Sequence, residues 1–140
     1  MSDQAYLSRI ARMYFVVQAV AIVAWWVVLA AAPQTRSYFT IRGAPLSTLG
    51  SFALGDIGII AIGSAVVGLL PGWRWSVVAA SAISGALLYA TCYSVAAAAT
   101  GSSSPVGALL MVPASMASIV ASAILSGDAH ADPLSSRAAP

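Results

Sequence analysis

Residues 13–32 read MYFVVQAVAIVAWWVVLAAA, twenty residues in which Gln18 is the only strongly polar side chain. At about 1.5 Å of rise per residue, a helix of this length crosses a hydrocarbon core of about 30 Å. Arg9 and Arg12 precede it and Pro33 follows it directly. Basic residues before the run and Ala30-Ala31-Ala32 at its end also suit a cleavable leader. The run, however, exceeds the apolar region of about 7–15 residues that leaders carry, and Pro33 would sit at the cut. A retained span is expected.

Three further apolar runs follow outward from this one. The second covers about 46–70 and contains one charge, Asp56; Pro71-Gly72 ends it, and Trp73, Arg74 and Trp75 form an interfacial anchor beside the turn. The third covers about 75–99, and the polar turn 100–104 leads to Pro105, which suits the first turn of the fourth run, 105–125. Pro113 removes one backbone hydrogen bond there, so a kink is expected. The first connection, 33–45, carries Arg36, Tyr38, Phe39 and Arg42, which favour the headgroup layer. From Ser126 the composition turns polar, with Gly127, Asp128, His130, Asp132 and Arg137, and 126–140 is expected to be a solvated, disordered tail.

Composition agrees with lipid as the main solvent. Of 140 residues 60% are hydrophobic and 7% charged, against roughly 25% charged in a soluble domain. Six arginines and four aspartates cannot cover a soluble globule of this size. The predicted fold is therefore all-α, an integral membrane four-helix up-down-up-down bundle occupying residues 1–125. Heavy use of Ala, Gly, Ser and Arg, with no Lys or Glu, associates with a bacterial source. Arg9, Arg12, Arg74 and Arg137 share one side under this topology and Arg36 and Arg42 the other. The excess places both termini on the cytoplasmic side of the inner (plasma) membrane. The arginines are scattered, and no nucleic-acid footprint is formed.

Asp56 is the residue with most chemistry to offer. A carboxylate near the bilayer centre costs at least about 2.5–3.5 kcal/mol on insertion scales, so it should face protein or a wet cavity. Asp56 lies ten residues into its run, and counting depth along antiparallel spans places Tyr89 and Ser115 in the same layer. The first span reaches that depth near Ile22, between Gln18 and Trp25-Trp26. Asp56, Tyr89, Ser115 and Gln18 are thus the candidate polar layer. It reads either as a structural knot, in which an uncharged acid bonds a hydroxyl, or as a ligand or proton site with carbonyls bared at Pro113.

Other features are blander. Ser51 with Gly55, Ser64 with Gly68, Ser81 with Gly85, and Ala114 with Ser118 and Ser122 recur at four-residue spacing, suiting close helix packing or contact between copies. Cys92, the single cysteine, reads as a small packing residue and allows no intrachain disulfide. His130 beside Asp128 and Asp132 reads as solvated tail, not as a metal site. No HExxH, P-loop, GxSxG or CxxC pattern occurs. A non-enzymatic protein without cofactor or metal is expected.

Phe52, Gly55, Asp56, Gly63 and Ser64, with Tyr89 to Tyr93 and Met111 to Pro113, resemble an uncharacterised bacterial four-span membrane domain also associated with isoprenylcysteine methyltransferase-like proteins. The resemblance covers residues 13–125, and the methyltransferase part has no counterpart, so its activity is not implied. Two functions are expected from the residues. One is a non-enzymatic membrane module that associates with a partner membrane protein or with itself. The other is a binding or carrier protein for a lipophilic small molecule or proton, using the site around Asp56.

Overall fold

In hydrocarbon every backbone N–H and C=O must find its partner within the chain, which leaves continuous helices as the solution for runs such as these. A computed structural model of the protein describes residues 3–38 and 46–135. It is all-α, with four helical spans that are each long and apolar enough to cross a bilayer. The first is α1 (Asp3–Ala31), followed by a short 3-10 turn, Pro33–Tyr38. The second is continuous but composite: α2 (Leu46–Gly55), a π-helical turn (Asp56–Ala61) and α3 (Ile62–Leu69). The third is α4 (Ser76–Ala99) and the fourth α5 (Pro105–Ser135). Consecutive spans run in opposite directions, as the pairs Gln18–Ser64 and Trp26–Asp56, Gly63–Ile83 and Phe52–Tyr93, and Ser81–Ser122 and Thr91–Met111 show, and α5 also contacts α1.

The breaks between spans form where glycine permits them. Gly72 has φ 81° and the Trp73 N–H donates to the Leu70 carbonyl, as a turn with Pro71 then Gly72 at its centre requires. Gly101 has φ 73°, with Gly101 N–H donating to the Ala98 carbonyl and Ser102 N–H to that of Ala97. This is the Schellman stop, which closes the open carbonyls at the end of α4. The ends of two other helices are closed by arginine. Arg12 donates to the carbonyls of Val67 and Leu70, and Arg36 to those of Leu29 and Ala30.

The interior mixes small residues with a few large ones such as Phe15, Ile83 and Leu87, while many large apolar side chains lie outside. Buried positions include Ser64, Ser84, Ser115, Ser118 and Ala80, whereas Leu54, Ile59, Leu109 and Val120 are exposed on the outside. Lipid tails solvate the large apolar groups, so close approach of small ones holds the spans together. Ser84 bonds Ser118 at 2.9 Å and Ser81 bonds Ser122 at 3.1 Å, joining α4 to α5. Gly68 lies against α1 so closely that an added Cβ would stand 2.8 Å from the Arg12 carbonyl oxygen.

One expectation is corrected. The chain beyond Leu125 is not a disordered tail as far as Ser135, because α5 continues through it. Its cause is α1, which begins at Asp3 and offers a surface for the extension. The Ser8 hydroxyl donates to Asp128 at 2.6 Å, and Gly127 packs by Gln4. α5 runs continuously through Pro113, where the sequence predicts a kink. The readings of Phe39 and Arg42, of the His130 and Asp132 side chains, and of Arg137 fall outside the described residues.

Candidate functional site

The second span changes character at Asp56. The Ile62 N–H reaches the Ile57 carbonyl, five residues back, which is the π-helical bond. Gly55 precedes the turn and Gly58 lies within it, and an added Cβ at either would meet nothing within 4 Å. Below the turn, α3 packs on both α1 and α4; above it, among the described residues, α2 approaches the other spans less closely, with Phe52 reaching Tyr93 of α4. A wide turn at this point lets one span be close-packed at one end and splayed at the other.

The splay opens a cleft of about 560 Å³ to which all four spans contribute. Five aromatic residues line it: Trp25 and Trp26 from α1, Phe52 from α2, and Tyr89 and Tyr93 from α4. Gly107 and Met111 of α5 complete the wall, and Asp56 is the one acid in the lining. The rim faces the surroundings, since Tyr89 is 77% exposed and Ile59 65%. Phe52 and Tyr93 meet across the mouth with ring centres 6.0 Å apart. A second, almost wholly apolar cleft of about 370 Å³ lies on the other side of Trp26 and reaches Arg36.

The Asp56 carboxylate has a specific partner. Trp26 donates its indole N–H to Oδ2 at 3.1 Å. The other oxygen accepts no protein hydrogen bond among the described residues. The residues expected to share a layer with Asp56 are distributed otherwise. Tyr89 does line the same cleft, without a hydrogen bond to the acid. Ser115 is buried and donates back to the Val112 carbonyl of its own helix. Gln18 donates to Ser64 at 3.0 Å, lower in the molecule, and its Oε1 is buried without a partner among the described residues. Carbonyls around Pro113 are also engaged, by Thr91 at Met111 and by Tyr14 at Ala114.

Sequence reasoning placed Ile22 opposite Asp56, one helical turn from Trp26. The missing signal was register: Gln18 meets Ser64 and Trp26 meets Asp56, so eight residues on one span match eight on the other. That register is visible only once one pair is known. Comparison with protein-family models, curated proteins and solved structures returns no match. The site's chemistry therefore rests on its geometry.

Proposed function

We propose that this is a small membrane protein that binds a lipophilic molecule in the Asp56 cleft, admitting it from the bilayer between the second and third spans. The observation that carries this reading is the cleft itself. Its volume of about 560 Å³ falls within the range of small-molecule sites, about 300–1,000 Å³, and it joins largely apolar and aromatic walls to a few polar groups, with Asp56 the one acid among the described lining residues, as such sites do. A structural knot would need no such opening beside the acid. The alternative role, association with a partner or a second copy through small-residue faces, is less supported. Ser84 and Ser118 are buried between α4 and α5, Ser81 bonds Ser122, and Gly68 is covered by α1. Four arginines against two further suggest an inner-membrane protein with both termini cytoplasmic.

Ala90 lines the cleft, so Ala90→Trp should fill it from the wall of α4. In lipid nanodiscs, the wild-type chain should bind the neutral dye N-phenylnaphthylamine saturably above an empty-disc background. The Ala90→Trp chain should lose that binding while keeping its helical circular dichroism. Equal binding by both chains, or no saturable binding by the wild type, would overturn the reading.

A further inference from the structure

Resting on the binding reading above, we infer that the ligand of this cleft is a lipophilic cation, held by the Asp56 carboxylate and by the faces of aromatic rings. Charge complementarity is the first ground. Asp56 lies on the cleft wall, and Trp26 engages only Oδ2. Among the described residues neither Arg nor His lines this cleft, and the sequence contains no Lys. Arg36, the described arginine nearest in sequence to α2, lines the other cleft and is held by the carbonyls of Leu29 and Ala30. The described lining thus offers this acid no cationic side chain, and a cationic ligand would supply the missing charge.

The wall chemistry is the second ground. Aromatic faces attract cations through the ring quadrupole, most strongly where water is excluded. Trp26, Phe52, Tyr89 and Tyr93 bring that property to the same cleft as the acid. An anion would meet the Asp56 carboxylate with no cationic side chain in the described lining to offset it. A neutral lipophile would fill the walls and leave the second carboxylate oxygen facing it unpaired. A compact, strongly hydrated ammonium ion would lose its water shell on reaching this depth, ten residues below the start of α2. A large cation with delocalised or sterically shielded charge loses least on dehydration and matches both walls and acid.

Three probes of similar shape separate these cases: tetraphenylphosphonium, tetraphenylborate and neutral triphenylphosphine oxide. Binding is measured by equilibrium dialysis against the full chain in nanodiscs, with empty discs subtracted. Tetraphenylphosphonium should bind at least about tenfold more tightly than the neutral probe, and tetraphenylborate should show no saturable binding. Asp56→Asn should remove the preference for the cation, bringing it to within about threefold of the neutral probe. Phe52→Leu with Tyr93→Leu, which keeps the carboxylate and an apolar wall, should weaken the cation by about threefold or more and the neutral probe less. This second variant decides the matter if Asp56→Asn fails to fold. Equal affinities of cation and neutral probe, both abolished by Ala90→Trp, would overturn the cation inference and leave the lipophile site standing. Binding of every probe unaffected by Ala90→Trp would overturn both.

Discussion

The two ends of the second span face the same neighbours with opposite results. In α3 an added Cβ would crowd its neighbours: at Gly63 it would stand 2.9 Å from Ile83 Cδ1, a side-chain end that can shift, and at Gly68 2.5 Å from Val16 Cγ2 and 2.8 Å from the fixed Arg12 carbonyl oxygen. In α2 and the π turn, Gly50, Gly55 and Gly58 have nothing within 4 Å. The same residue type closes the helices together at one end and lines open space at the other. Packing of small residues is the main attraction between spans in lipid, so the α3 end supplies cohesion and the α2 end is left available for a ligand. The π turn at Asp56–Ala61 marks the change.

The sharpest way to break this contrast is to add volume at each end. Gly68→Val should destabilise the protein by about 3 kcal/mol in detergent unfolding, because the neighbours it meets include the Arg12 and Val16 backbone. A cost below about 1 kcal/mol would show that the α3 end is not close-packed. Next in size, Arg12→Ala should cost about 1 kcal/mol by uncovering the Val67 and Leu70 carbonyls at the end of α3. Unchanged unfolding would mean that other groups cap this end. At the open end, Gly50→Ala should stabilise by about 0.5–1 kcal/mol, the helix-propensity gain with no steric charge against it. A loss of stability would place a neighbour where the structure has space. The smallest effect is expected from Ser84→Ala and Ser118→Ala, singly and together, whose coupling should be about 0.6 kcal/mol. Strict additivity would remove this hydroxyl pair from the cohesion of α4 and α5.

The spans and their breaks were legible because hydrophobicity, Pro71-Gly72 and Pro105 act locally. Asp56 was legible as a site for the same kind of reason: an acid inside an apolar run demands an explanation at any register. Its partner was not, because depth counting fixes height along a span but not rotation about it, and the π turn adds to the rotation without altering hydropathy. The long α5 escaped notice because Ser126, Gly127 and Asp128 look like solvated chain until the early start of α1 supplies Ser8 and Gln4 beside them. Of the Ser and Gly stripes, Ser64, Gly68, Ser81, Ser118 and Ser122 meet neighbouring spans, yet nothing in the spacing distinguishes Gly68, pressed on α1, from Gly55, which lines the cleft.

The central claim is that the loose end of the second span is a binding site and the tight end is not. The most direct measurement is photolabelling of the full chain in nanodiscs with a benzophenone-bearing lipophilic probe, followed by mapping of the modified residues by mass spectrometry. Adducts should concentrate on the cleft lining, at Trp25, Trp26, Phe52, Tyr89 and Tyr93, and should fall away in the Ala90→Trp chain. Adducts spread evenly over lipid-exposed residues such as Met13, Val78 and Val120, with no change on Ala90→Trp, would contradict it.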